Sequence, residues 1–166
     1  EMDFLQESGV IGRICIFLQP RLDQYDKSLP YNAKLYQLAY KRISEKIENL
    51  FSFELYIHNV ERVKELHAMR IVAKQVRYTL EAFAPLYDKD FKKNIQSVQK
   101  IQDLLGAIHD CDVWIDYIPH FIEDERQRNL SFFGHARPVN LLLPGFDYFM
   151  ANRIRERQRL YKTFLS

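Results

Sequence analysis

The chain has 166 residues, 47% apolar and 14% aromatic, which suits one domain with a sizeable core and excludes disorder for most of its length. With 24 basic and 22 acidic residues the net charge is only +2, so bulk charge gives no argument for a nucleic-acid or membrane surface. No apolar run long enough to span a bilayer occurs, and no basic segment leads into an apolar one, so neither a membrane helix nor a signal peptide is expected.

Gly is scarce and apolar residues recur three and four apart, which predicts an all-α chain. Residues 1–30 are the least legible part, an N-terminal segment holding an apolar run from Val10 to Leu18. Five helical segments follow, at 32–57, 60–87, 90–110, 112–128 and 145–164. Ser28-Leu29-Pro30 precedes the first, Pro85 and Asp88-Lys89-Asp90 separate the second from the third, and Pro138 to Gly145 precedes the last. Residues 129–144 read as a long connection whose phenylalanines pack on the bundle. Cys15 and Cys111 lie far apart among apolar neighbours and are expected to be reduced core thiols, with a cytoplasmic setting as the default. A first residue of Glu1 instead of Met suggests a processed product or a piece of a larger parent.

The second helix carries the most informative pattern. At about 100° per residue, His67, Arg70, Lys74 and Arg77 fall within an arc of roughly 80° and form one basic strip. Met69, Val72, Ala73, Val76, Leu80 and Phe83 make the core stripe on one side of it, and Ile71 and Tyr78 border the other. A solvated charge face normally lies opposite the core. A strip with apolar edges suits a groove wall, where a lowered dielectric strengthens attraction for an anion. The plain reading is a solvated flank with local ion pairs, and Glu81 stands four residues beyond Arg77.

Similar placement recurs in the last helix, where Phe146, Met150, Leu160 and Phe164 define an apolar stripe and Arg153 and Arg157 project within it. Arg155, Arg159 and Lys162 fall on the far side. An inward guanidinium needs an anion, and the alternatives are a bound ligand, snorkelling at the rim or a carboxylate from another helix. On the third helix Phe91, Ile95, Val98, Leu105 and Ile108 mark the inner side, with Gln102 and His109 among them and Lys93 and Lys100 directed away. Arg42 and Lys46, at the edge of the apolar face of the first helix, are secondary candidates.

The run Leu66-His67-Ala68-Met69-Arg70-Ile71-Val72-Ala73-Lys74-Gln75-Val76-Arg77-Tyr78 is followed by Phe83-Ala84-Pro85-Leu86-Tyr87. Ile101-Gln102-Asp103-Leu104-Leu105-Gly106-Ala107-Ile108-His109-Asp110-Cys111-Asp112-Val113 comes next. In order and spacing these segments resemble the CHAD family, the conserved histidine α-helical domain, over residues 32–164. The resemblance implies an all-helical fold of two pseudo-symmetric four-helix halves, with basic residues lining a cleft that binds inorganic polyphosphate. It implies that His67, Arg70, Lys74 and Arg77 are anion ligands, and it extends more weakly to His109. Arg153 and Arg157 rest on the helical-wheel argument. The family carries two copies of the His-x-x-Arg helix and this chain shows one, so the expectation is the C-terminal half of a CHAD-like domain, a four-helix-bundle half with an extra N-terminal segment. Either residues 1–30 are a remnant of the first half or that half lies in a missing part of a larger parent; 32–164 would be the CHAD-like bundle, completed by a second protomer in a homodimer.

The function expected is therefore a non-enzymatic polyanion-binding module, cytoplasmic or on polyphosphate granules, without cofactor or metal. Protonation of His67 would strengthen binding as pH falls. One rival is a metal-dependent phosphohydrolase built on His67 and His109-Asp110, for which His58, His120 and His135 supply no second cluster of ligands. The other is an interaction scaffold whose arginines meet protein carboxylates. Nucleic acid ranks below polyphosphate because the net charge is nearly balanced and no known reader motif occurs.

Overall fold

Apolar residues spaced by four, four and three place Ala39, Ile43, Ile47 and Leu50 along one face of a helix, and all four are buried. The structure, a computed structural model, describes residues 30–87 and 89–166, and side chains from 33 onward. Among the described residues there are four α-helices and no strand. They are α1 (Pro30–Phe51), α2 (Val63–Phe83), α3 (Phe91–Phe133) and α4 (Arg137–Leu165), with a short 3-10 turn at Ala84–Leu86. The Val10–Leu18 run, Cys15 and the proposed remnant of a first half lie outside the described residues. The chain divides into two compact units, Glu1–Asp103 and Leu104–Ser166.

In the first unit α1 packs on α2, whose Leu66, Met69, Val72, Ala73, Val76 and Leu80 are buried as the periodicity predicts. Lys46 Nζ donates to Gln75 Oε1 at 2.8 Å between these two helices. The predicted 32–57 helix stops at Phe51. Beyond it the backbone closes successive three-residue turns, from Phe53 N–H to the Leu50 carbonyl, Glu54 to Phe51 and Tyr56 to Phe53. Ile57 is buried at what looks like the next helical position, which is why the spacing alone runs on past the true end. Pro85 terminates α2 as expected, because a proline in a helix interior clashes with the preceding turn. The Tyr36 hydroxyl donates to the Leu86 carbonyl, and beside it the Tyr87 ring meets Tyr36 edge-on and stacks on Phe91.

Two predicted elements change. The break at 110–112 is absent, and α3 runs without interruption from Phe91 to Phe133. Asp110 and Asp112 suggest a helix start, but Ile108, Cys111 and Ile118 keep one buried stripe across them. Neither Gly106 nor Pro119 breaks it. Pro119 removes one backbone bond, that to the Ile115 carbonyl, and the other turns persist.

The predicted 129–144 connection is mostly helix. Only residues 134–136 separate α3 from α4. Gly134 has φ +71 and its N–H bonds the Leu130 carbonyl at 3.0 Å, a left-handed glycine cap. Pro138 sits in the first turn of α4, where its missing N–H costs nothing. Pro144 lies inside α4 on its exposed side, where water can serve the freed carbonyl. The connecting phenylalanines do not pack inward. Phe132 is 84% exposed and Phe133 56%, and Phe133 meets Phe132 edge-on and stacks on His135.

In the second unit α3 and α4 form this hairpin. Its buried residues are Leu105, Ile108, Cys111 and Ile118 from α3 and Val139, Leu160 and Tyr161 from α4. Phe146, Met150 and Phe164 of the predicted α4 stripe are half-buried, while Arg155, Arg159 and Lys162 are exposed as expected.

Candidate anion-binding site

Helix α2 sets the first group of candidate ligands. His67, Arg70 and Arg77 are half-buried beside the core stripe and Lys74 is exposed, so the strip sits on the shoulder of the helix. Its outer border is as read from the sequence, with Ile71 and Tyr78 about half exposed.

The four cations differ in what holds them. Arg77 lies 3.6 Å from Glu81 through Nε, too long for a hydrogen bond, and its guanidinium sits over the Tyr78 ring at 4.8 Å. That Nε is buried without a hydrogen-bond partner among the described residues. Lys74 places its ammonium 5.7 Å from the centre of the same ring. Tyr78 therefore carries two cations of the strip, an arrangement in which the ring quadrupole offsets part of their mutual repulsion. Arg70 makes no hydrogen bond, ion pair or ring contact among the described residues. His67 is partnered, and its Nδ1 is buried without a hydrogen bond among the described residues.

The other candidates belong to the second unit. His109 is half-buried and partnered on α3. The Arg157 guanidinium donates through Nε to Asp112 Oδ1, with side chains only 12% and 13% exposed. That pairing is one of the alternatives open from the sequence, a carboxylate from a neighbouring helix. Arg153 donates to Asn152 Oδ1 and lies 5.4 Å over the Phe149 ring, while its Nε is buried without a hydrogen-bond partner among the described residues. Burial pushes the Cys111 thiol up from its ordinary value, opposed by Arg153 and reinforced by Glu156, Asp112 and Asp110. Burial also raises the Tyr161 hydroxyl, which the Arg157 charge opposes.

Of the secondary candidates, Arg42 pairs with Glu45 on its own helix and Lys46 is engaged by Gln75. Lys93 and Lys100 are exposed, as expected. Two polar groups escaped the sequence reading. Asp112 was not distinguished as the partner of Arg157. Arg126 buries its Nε without a hydrogen-bond partner among the described residues. It stands five turns beyond buried Ile108 and so points in the same direction, a signal available from the helical period. Among the described residues no group of three or more His, Cys, Asp or Glu stands together as metal ligands. No helix there is long and apolar enough to cross a membrane.

An all-helical chain with a half-buried basic strip on one shoulder defines the class of protein. The family model of the CHAD domain matches residues 13–119, more than half of the chain, and the chain belongs to that family. The match begins before the expected residue 32 and ends before 164. It contains His67, Arg70, Lys74, Arg77 and His109 and stops short of Arg153 and Arg157. Comparison with the curated proteins and with the solved structures yields no match.

Proposed function

We propose that the chain is a polyanion-binding module and that the α2 strip holds inorganic polyphosphate. CHAD domains are linked to polyphosphate binding in general and serve as binding modules. The observation that carries the reading is Arg70, half-buried between apolar edges and without an acidic partner among the described residues, in register with Lys74, Arg77 and His67. Arg70 and Arg77 offer planar forks to phosphoryl oxygens, Lys74 a point charge and His67 a ring N–H. The Tyr78 ring lies beneath the charged ends of Lys74 and Arg77 and keeps both on the same shoulder of the helix.

Arg153 and His109 are proposed as further anion contacts within the second unit, Arg153 favoured by an Nε without a hydrogen-bond partner among the described residues. Arg157 acts mainly as a brace through Asp112 and reaches a polyanion only by giving up that carboxylate. A second protomer completes the cleft, and the setting is cytoplasmic, including polyphosphate granules. The direct test is a gel shift with polyphosphate at moderate salt. The Arg70→Ala, Arg77→Ala double variant should lose retention while keeping its helical circular dichroism. Unchanged retention would remove α2 as the site.

A further inference from the structure

One edge of the α3–α4 hairpin is aromatic and, among the described residues, uncovered. Trp114 stands edge-on to Phe149 at 5.6 Å and to Tyr117 at 6.0 Å, and Tyr117 stacks on Phe121 at 5.9 Å. Despite these contacts Trp114 is 43% exposed and Tyr117 50%. Beside them Trp114, Ile118, Leu142, Gly145, Phe146 and Phe149 line an open apolar groove of about 460 Å³. A Cβ built on Gly145 would meet nothing within 4 Å. Contiguous exposed apolar surface of this kind marks an interaction site.

The sequence along this edge says what fits it. Asp110, Trp114, Tyr117, Phe121, Asp124 and Arg128 are spaced by four, three, four, three and four, the heptad rhythm of a helix that packs against another helix. The stripe carries an acid at one end and a base at the other, about five turns or 27 Å apart, with aromatic residues between. Its complement must carry a base opposite Asp110 and an acid opposite Arg128 at that same separation. Helix α3 itself, run in the opposite direction, meets this requirement. Asp110 then faces Arg128 of the second copy, Trp114 faces Asp124, and Tyr117 faces Phe121, each pair occurring twice about a two-fold axis near residue 119. The Trp114 indole N–H gains an acceptor in the facing Asp124. Both charged ends are exposed; Arg128 donates through Nη1 to Glu125 on its own helix and has further guanidinium N–H groups to offer Asp110 of the second copy.

We propose that this edge is a self-association surface through which two copies of the chain pair antiparallel along α3. Charge and spacing on the hairpin favour this pairing independently of polyphosphate binding. It is tested by sedimentation velocity of the full chain without polyanion, over a range of protein concentrations. A dimer is expected, and Asp110→Arg or Arg128→Glu alone should convert it to monomer by setting like charges opposite. The double exchange Asp110→Arg with Arg128→Glu should restore the dimer, which a folding defect would not do. Two results overturn the proposal. One is a dimer indifferent to either single reversal. The other is a monomer at every concentration, whatever the emission of the single tryptophan, Trp114.

Discussion

Arg157 and Asp112 are joined across the α3–α4 hairpin by a hydrogen-bonded ion pair from which solvent is nearly excluded. Each partner lies on the inner side of its helix, so removal of one leaves the other charged and desolvated. Replacement of both by well-packed apolar groups removes that penalty. Asp112→Ala should therefore lower stability by about 3–5 kcal/mol, and Asp112→Leu with Arg157→Met should recover most of it. Urea unfolding followed by circular dichroism measures both. The same double variant should keep polyphosphate retention close to that of the parent chain, because Arg157 is occupied by Asp112 before any polyanion arrives. A retention loss as large as that of Arg70→Ala would make Arg157 a direct ligand instead of a brace.

Arg70 and Lys74 should be distinguishable by the kind of cation each position needs. Arg70 is half-buried on the shoulder of α2, where a planar fork can engage two phosphoryl oxygens, whereas Lys74 is exposed and acts through charge alone. Arg70→Lys should weaken polyphosphate binding measurably although the charge is kept, and Lys74→Arg should leave it nearly unchanged. Binding should also weaken steeply with added salt, because a polyanion sheds condensed counterions when cations replace them. Lys74→Ala should reduce the slope of log K against log salt by about one. Titration calorimetry at several salt concentrations reads both effects, and equal losses for Arg70→Lys and Lys74→Arg would contradict the division of roles.

The parts of this fold written in side-chain period were legible. Leu66, Met69, Val72, Ala73, Val76 and Leu80 repeat at the helical interval, and a stripe that must be buried can be found without knowing what buries it. The strip from His67 to Arg77 follows from the same arithmetic, and the polyphosphate role proposed for it rests on resemblance, not on periodicity. Element ends were less legible because they depend on backbone hydrogen bonds that composition does not record. The turns after Phe51 keep Ile57 at a helix-like position, and the aspartates at 110 and 112 mimic a cap inside a continuous helix. Pro144 and Pro138 look alike in sequence, yet one lies inside α4 and the other in its first turn. The Arg157–Asp112 pair was hidden for a different reason. Its members are 45 residues apart, and only the register of the hairpin joins them.

That register depends on the turn at Gly134, which makes the two glycines of the hairpin a useful contrast. Gly134 has φ +71 with nothing within 4 Å of an added Cβ, so the whole cost of a side chain there is backbone strain. Gly145 lies within α4, equally open, and a helix interior favours alanine over glycine. Gly134→Ala should destabilise the hairpin by roughly 1 kcal/mol. Gly145→Ala should instead stabilise it by roughly 0.5–1 kcal/mol. The same chemical change is thus expected to shift the urea midpoint in opposite directions at two positions in one element pair. A destabilising Gly145→Ala would mean that the groove above it is filled in the folded protein, and a neutral Gly134→Ala would mean that the turn relaxes out of the left-handed region without disturbing the helices it joins.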